Sequence, residues 1–199
     1  MKIEFLSKSF PCKKKMIHLP STIPNLSPYW KSSLENIGKF MERRNLTFQH
    51  VIENGVYLYQ NNELGTPYFL ILVFHDKLGI EHLKLYLHLC ENTIVENIIM
   101  IYQKSITSNC LKVIENLFQY HLETFPLENF LYDIRNLYYF VPHEKITDEA
   151  LLLEIKQKYG SNLPNLMKSD PIVKYYGFKR NDVIRIIRSE NEIIYRQVR

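Results

Sequence analysis

The chain has 199 residues, of which 46% are hydrophobic and 23% are charged, and this balance is typical of folded rather than disordered proteins. Its formal net charge of +4 permits contact with a nucleic acid without requiring it. No apolar run is long enough to cross a membrane, and residues 1–6 lack the apolar stretch of a signal peptide. We therefore expect an intracellular protein that contacts no membrane.

The cysteines and histidines argue against disulfide and metal chemistry. Cys12, Cys90 and Cys110 are odd in number and include no C-x-x-C pair, unlike a disulfide framework or a zinc site. The seven histidines are not spaced with acidic residues or cysteines as metal ligands are. We expect no metal, no other cofactor and no small-molecule substrate.

An irregular arm and then a helix are predicted at the start of the chain. Residues 1–27 contain several prolines and the basic run Lys13–Lys15, and such a run is more often solvated than bound to phosphate. Ser27 as N-cap and Pro28 in the first turn open a helix. The apolar stripe of this helix comprises Trp30, Leu34, Ile37 and Met41. Residues 48–59 alternate weakly, which indicates one strand.

Strands and helices then alternate. Two continuous apolar runs, Tyr68–Phe74 and Asn97–Tyr102, predict strands that are covered on both faces. A helix over residues 79–91 separates them, with Cys90 on its core face.

A third helix is capped by Thr107 or Ser108. Its buried face is predicted to comprise Leu111, Ile114 and Phe118. Residues 125–134 then read as extended. This order predicts an α/β domain over residues 28–136, with a mixed, largely parallel sheet flanked by helices.

The last third of the chain predicts a small α+β domain over residues 137–199. Residues 137–140 read as an aromatic strand, and Thr147 caps a helix that ends at Gly160. Asp170–Pro171 opens a short helix that stops at Gly177. A turn at Asn181–Asp182 precedes two strands, 183–187 and 193–198, which form an antiparallel hairpin.

The chain carries little that resembles a catalytic set. It has no phosphate loop and no dinucleotide fingerprint. Asp76 and Lys77 follow a buried strand, where a nuclease would place Mg²⁺ ligands and a lysine. They are adjacent, however, so they point to opposite sides of an extended chain and lack the alternating spacing of a nuclease site.

Two basic patches remain. Lys104 lies between a strand and the start of a helix, a position that can hold a phosphate. The second patch comprises Lys179, Arg180, Arg185 and Arg188. Solvated faces or salt bridges between proteins explain both patches equally well.

Residues 137–199 resemble the assembly domain of the fifth subunit common to the three eukaryotic nuclear RNA polymerases, a domain that its archaeal counterpart shares. The matching blocks are Phe140–His143, Leu163–Pro164, Ser169–Gly177, Lys179–Arg188 and Tyr195–Arg196. The N-terminal region resembles the jaw domain of the eukaryotic protein, at Trp30 and its helix, Gly79–Ile80, Ile98–Gln103 and Thr107–Ser108.

The chain departs from the family pattern at four places. The histidine of the Val-Pro-x-His element comes one place early, at His143, and Asn181 replaces a glycine. The loop at residues 189–192 is shortened. The jaw element Thr-Pro-Ser reads Ile106-Thr107-Ser108, without its proline.

The resemblance implies a non-catalytic subunit of a multisubunit DNA-directed RNA polymerase. Its jaw would have a nuclease-like core without the catalytic set and would lie beside downstream duplex DNA, which it contacts without sequence specificity. Its assembly domain would dock on the largest polymerase subunit within the complex. The implied DNA-proximal residues are Lys104, Ser105, Thr107 and Ser108. The implied largest-subunit interface comprises Pro142, His143, Asp170, Pro171, Tyr176, Gly177, Arg188, Tyr195 and Arg196.

Two other functions stay open at this point: a nuclease-fold enzyme and a stand-alone DNA-binding transcription regulator. The single alanine and the abundance of Asn, Ile, Lys and Tyr indicate an AT-rich genome, such as that of a large DNA virus or a parasite. The expected location is the nucleus if the protein is cellular, or the virion and host cytoplasm if it is viral.

Overall fold

A computed structural model describes residues 28–53, 55–91, 93–160, 162–189 and 192–199. The predicted arm, with Cys12, Lys13–Lys15 and the cap Ser27, lies outside the described residues, as do the two central residues of the shortened loop. The described residues form a five-stranded sheet in the N-terminal part, a four-stranded sheet in the C-terminal part and a small two-stranded sheet.

The N-terminal part begins with a helix and contains most of the strands. Its elements are α1 (Pro28–Arg43), β1 (Leu46–Glu53), β2 (Val56–Asn61), β3 (Pro67–Val73), β4 (Lys77–Leu78), α2 (Ile80–Glu91), β5 (Asn97–Tyr102), β6 (Ser105–Ile106), α3 (Ser108–Glu115) and β7 (His121–Pro126). Two 3₁₀ turns follow, at Leu127–Phe130 and Ile134–Asn136.

The larger sheet is evenly mixed. Its order is β1-β2-β3-β5-β7, in which β3, β5 and β7 are parallel and β1, β2 and β3 are antiparallel. The prediction of a largely parallel sheet was therefore too strong. The one strand predicted over 48–59 is a hairpin of β1 and β2, because the chain reverses at Gly55, which has φ +84°. A Cβ there would lie 2.8 Å from the carbonyl oxygen of Leu72.

Helices cover both faces of this sheet. On one face α1 buries its predicted stripe, with Trp30, Ile37 and Met41 in the core against Leu72 and Ile99. On the other face α2 and α3 pack against the second set of alternating strand residues. Cys90 is buried there, as predicted, and burial raises the pKa of its thiol to about 11. The result is a three-layer α/β unit.

Two predicted elements of this unit were misplaced. The buried residue of α3 is Cys110, whereas Leu111 is exposed and Phe118 lies beyond the helix with 90% of its surface exposed. The extended segment is β7, which starts at His121 rather than at residue 125. After Pro126 the chain folds into 3₁₀ turns, whose Phe130 is buried against α1.

The C-terminal part forms the second sheet. Its elements are β8 (His143–Lys145), α4 (Glu149–Tyr159), β9 (Asn165–Leu166), α5 (Pro171–Tyr176), β10 (Val183–Ser189) and β11 (Glu192–Val198). The strand order is β8-β10-β11-β9, and β10 and β11 are the predicted hairpin. Ile184, Ile186 and Val198 form the core with Val173 of α5.

The helix ends follow capping chemistry closely. Asp170 Oδ1 accepts a hydrogen bond from the Ile172 amide at 2.8 Å, and Gly177 ends α5 with a left-handed φ of +67°, both as predicted. Gly160 ends α4, also as predicted. The cap of α4 is Asp148 rather than Thr147, since Asp148 accepts from the Ala150 amide at 2.9 Å. The predicted aromatic strand over 137–140 is a turn.

Candidate nucleic-acid and subunit interfaces

The predicted DNA-proximal residues lie on one loop at the carboxyl ends of β3 and β5. The two-residue strands β4 and β6 pair in parallel, joining Lys77 to Ser105 and Leu78 to Ile106. This pairing holds the segment after β5 beside the segment after β3. Lys104 therefore lies over Asp76, although 28 positions separate them in sequence.

A chain of side-chain contacts fixes this loop. Trp30 Nε1 donates to Gln103 Oε1 at 3.0 Å, and Gln103 Nε2 donates to Asp76 Oδ1 at 3.1 Å. Lys104 Nζ lies 2.6 Å from Asp76 Oδ2. Both members of this ion pair are about two-thirds exposed, and exposed pairs contribute only about 0–1 kcal/mol. Lys104 can therefore exchange Asp76 for a phosphate at little cost.

The hydroxyl groups of the loop differ in their availability. Thr107 is the N-cap of α3, and its Oγ1 accepts a hydrogen bond from the Cys110 amide at 3.2 Å. Ser105 belongs to β6, and Ser108 is the first residue of α3. All four predicted residues are thus neighbours along one short segment, and Thr107 has a structural role in addition to any contact with DNA.

The nuclease alternative gains no support from this geometry. The carboxylate of Asp76 faces Lys104 and Gln103 rather than other acidic side chains. Across the described ranges, no group of three or more His, Cys, Asp or Glu side chains could hold a metal ion. Nor is any helix in those ranges long and apolar enough to cross a bilayer.

Pro142 and His143 lie at one edge of the smaller sheet. The carbonyl oxygen of Pro142 accepts from the Ile187 amide at 3.1 Å, and His143 opposes Ile186 in the ladder between β8 and β10. His143 Nδ1 lies 2.6 Å from the Val141 carbonyl oxygen, so this nitrogen carries the proton that is donated.

The other predicted interface residues are spread over three elements. Asp170, Pro171, Tyr176 and Gly177 belong to α5 and its caps. Arg188 Nη1 lies 3.2 Å from Glu192 Oε1 in an exposed pair at the end of the β-hairpin.

Tyr195 lines an open cleft beside α4. The cleft has a volume of about 250 Å³ and is lined largely by apolar and aromatic side chains, among them Leu163, Pro164 and Ile193. The rings of Tyr195 and Tyr159 lie with centroids 5.7 Å apart. Arg196 Nη1 donates to the Asn165 carbonyl oxygen at 3.2 Å. The predicted set is therefore distributed over the β8 edge, the end of the β10–β11 hairpin, the cleft and α5.

Comparison with known sequences identifies the C-terminal domain. Residues 134–198, which contain all of the smaller sheet, match the family described as RNA polymerase Rpb5, C-terminal domain. Residues 134–198 are therefore an Rpb5-type C-terminal domain, and the chain is similar to the Rpb5 family of RNA polymerase subunits. This confirms the resemblance of residues 137–199 to the assembly domain, and the match begins three residues earlier, inside the second 3₁₀ turn.

Curated relatives match stretches of the chain that are longer than this C-terminal domain. The chain is 31% identical over 113 residues to DNA-directed RNA polymerases IV and V subunit 5B of Arabidopsis thaliana, covering 52% of this chain and 50% of that protein. It is 31% identical over 94 residues to DNA-directed RNA polymerase V subunit 5A of the same plant, covering 46% and 42%.

A third relative is matched over a longer stretch. The chain is 25% identical over 155 residues to DNA-directed RNA polymerases I, II, and III subunit rpabc1 of Dictyostelium discoideum, covering 75% of this chain and 74% of that protein. The chain thus spans about half the length of the plant relatives and about three quarters of the amoebal one.

Two groups of residues were not predicted from the sequence. The segment between the sheets exposes Tyr132, Tyr138 and Tyr139, and Tyr138 is 98% exposed. The clustering of tyrosines in the sequence was the available signal, but it was interpreted as a strand. The second group is the pair Arg43–Arg44 at the end of α1, which binds α5. Its only signal was two adjacent arginines in a last helical turn.

Proposed function

We propose that this chain is a non-catalytic subunit of a DNA-directed RNA polymerase, with its C-terminal domain docked on the largest subunit and its N-terminal domain beside downstream duplex DNA. The observation that carries the proposal is the family match over residues 134–198, which coincides with one folded unit of sheet and helices. We place the domains at residues 28–136 and 137–199, with residues 1–27 as an arm. Nucleotide addition and its Mg²⁺ belong to other subunits.

Exposed aromatic side chains support docking on a protein. Tyr138 and Tyr139 lie just before β8, with ring centroids 5.0 Å apart, and both are mostly exposed. Tyrosine is enriched in protein interfaces and in the residues that dominate their binding energy. The cleft at Tyr195 and the edge at Pro142 and His143 lie in the same domain. We propose that these groups contact the largest subunit.

The loop at Lys104 supports a contact with DNA. It offers an exposed lysine that forms a surface ion pair with Asp76, and it lies next to the start of α3. Contacts of this kind address phosphates, so they are independent of sequence and weaken as salt rises. In a eukaryotic cell such a subunit acts in the nucleus. In a large DNA virus it would act in the virion and the host cytoplasm.

Co-purification tests the docking proposal. A tagged chain is expressed in its source cells and recovered at low salt, and the largest polymerase subunit is quantified by mass spectrometry. The wild-type chain is expected to recover it, and failure to do so would refute the proposed function. The double variant Tyr138→Ser/Tyr139→Ser is expected to recover at most about a tenth as much, because interface tyrosines commonly contribute more than about 1 kcal/mol each. Phe118→Ser is the matched control, since Phe118 is equally exposed but lies in the N-terminal domain.

A further inference from the structure

The short helix α5 is shared between the two hydrophobic cores. Val173 packs in the C-terminal core with Ile184 and Val198. Two positions along, Tyr175 is buried in the N-terminal core, with its ring centroid 5.1 Å from that of Phe40 in α1. A helix of six residues therefore has one side in each domain.

Arg44, the residue after α1, binds the carboxyl end of α5. Its Nε donates to the Tyr175 carbonyl oxygen at 2.9 Å, and its Nη2 donates to the Lys174 carbonyl oxygen. These carbonyls are the negative end of the helix, so a cation from the other domain caps it. The same guanidinium forms two 2.8 Å hydrogen bonds with the carboxylate of Glu123 in β7 and lies 4.6 Å from the ring centroid of Phe40. Its side chain is 6% exposed.

Arg43 makes a second connection. Its guanidinium forms a forked pair with Asp133, at 2.6 and 2.7 Å, and its Nη1 also donates to the Tyr175 hydroxyl at 2.6 Å. The Asp133 side chain is 7% exposed. Asp133 in turn accepts from the Arg135 amide at 3.0 Å and so caps the 3₁₀ turn that leads into the C-terminal domain. Arg43 therefore joins α1, this connecting segment and α5.

We infer that these side chains form a clamp, defined as Arg43, Arg44, Glu123, Asp133 and Tyr175, which fixes the orientation of the two sheets. Domains joined by small polar interfaces usually move relative to each other. Here both arginines are largely withdrawn from water, and their partners are carboxylates, backbone carbonyls and a tyrosine hydroxyl. Separating the two sheets would leave these charges without partners. A partly buried charge without a partner is strongly destabilising.

The helix α1 connects the clamp to the Lys104 loop. The helix starts at Pro28, close to Trp30, whose indole holds the Lys104 loop through Gln103. It ends at Arg43, in the clamp. Its 16 residues span about 24 Å at 1.5 Å per residue. A rigid rod thus links the loop to the C-terminal domain, and a partner bound to that domain sets the position of the loop.

The wild-type chain alone provides the first test. Residual dipolar couplings of backbone amides in β3 and β5 and in β10 and β11 are measured in one alignment medium. We expect a single alignment tensor to fit both sheets. Separate tensors would show independent motion and would overturn the inference. This measurement does not depend on any polymerase, so it can fail while the proposed function stands.

Two conservative variants then test the side chains. Arg44→Lys keeps the charge but cannot form the forked bonds, and Asp133→Asn keeps the shape but loses the charge. We expect amide hydrogen exchange at residues 175–178 to become about tenfold faster in both, as for the loss of one hydrogen bond to a charged group. In Arg44→Lys, a single alignment tensor should also no longer fit the residual dipolar couplings of both sheets.

Lys31→Met on the same helix is the control, because Lys31 is exposed near the start of α1, at the opposite end from the clamp. Its exchange rates and its tensor should equal those of the wild-type chain. If amide exchange rates and alignment tensors are the same in Arg44→Lys as in Lys31→Met, the clamp does not hold the two sheets together and the inference is overturned.

Discussion

Arg44 donates through Nε to the carbonyl oxygen of Tyr175, 131 residues further along the chain, at 2.9 Å. Arg44 directly follows the first helix, α1, and Tyr175 lies in α5, the last helix of the described residues. At the end of α5, the Arg44 side chain takes the place of water that would otherwise solvate the helix carbonyl groups. The Arg44 guanidinium also occupies the space next to Gly177, where a side chain would have to fit.

Gly177→Ala should therefore destabilise the chain more than backbone strain alone predicts. A Cβ at this position would lie 3.2 Å from Arg44 Cζ, and φ is +67°. We expect a loss of about 2–3 kcal/mol in the free energy of unfolding, measured in urea. Gly65→Ala is the matched control, because φ is +66° there and the nearest atom outside the turn is 3.8 Å away. It should cost only about 1 kcal/mol, and equal losses would contradict the close contact at Gly177.

The Asp133 carboxylate should make the free energy of unfolding depend on pH. The hydrogen bonds from Arg43 hold the pKa of Asp133 below its usual value, and burial opposes this shift. A carboxylate with a lowered folded pKa stabilises the protein above its unfolded pKa of about 3.9, and this stabilisation disappears as pH falls through the folded pKa. The difference in unfolding free energy between the wild-type chain and Asp133→Asn should be constant near pH 6. It should shrink below about pH 4. A difference that stays the same down to about pH 2.5 would exclude an ionised, paired Asp133.

The cap of α3 can be assigned to one of two neighbouring hydroxyls. Thr107 Oγ1 accepts from the Cys110 amide, whereas Ser108 is already inside the helix. Thr107→Ala should cost about 1 kcal/mol of stability by chemical denaturation, and Ser108→Ala should change it by less than about 0.5 kcal/mol. The reverse order would move the cap to Ser108.

Substitutions of Lys104 and of Asp76 should change the affinity for DNA in opposite directions. Lys104→Gln should weaken the binding of the full chain to a short duplex about threefold and flatten the salt dependence by about 0.9 in log–log slope, equally for any DNA sequence. Asp76→Asn should strengthen binding, because it releases Lys104 from its 2.6 Å ion pair. Fluorescence anisotropy at low salt measures both. Lys84→Gln, on the exposed face of α2, controls for net charge, and a loss as large as that of Lys104→Gln would mean that the loop is not the contact.

Local signals in the sequence were sufficient to predict many of the helices and strands. The run Tyr68–Phe74 and the cap-and-glycine pairing at Asp170 and Gly177 each depend on neighbouring residues, and both predictions are confirmed. The hairpin at Gly55 was missed because a lone glycine inside a weakly alternating stretch does not distinguish a turn from a bulge. Thr147 and Asp148 are both good caps, and the choice between them depends on where α4 meets the sheet.

The interfaces were harder to predict because they depend on which distant segments meet. Lys104 was identified as a basic residue at a strand end, but its pairing with Asp76 requires the parallel arrangement of β4 and β6. Tyr176 and Gly177 were predicted to contact another subunit. That contact stays a prediction, while their position beside α1 follows from burial that sequence spacing does not reveal.

The outer strand of the larger sheet has a consequence for handling the protein. β1 lies at the edge and exposes Phe48, Val51 and Ile52, which would make it a template for pairing with a second molecule. Its ladder with β2 is interrupted twice, between Phe48 and His50 and between Val51 and Glu53. Such irregularities twist a strand and spoil the even spacing that stacking into fibrils requires. We expect the purified chain to resist aggregation at concentrations suited to spectroscopy, because of this distortion rather than because of its charge.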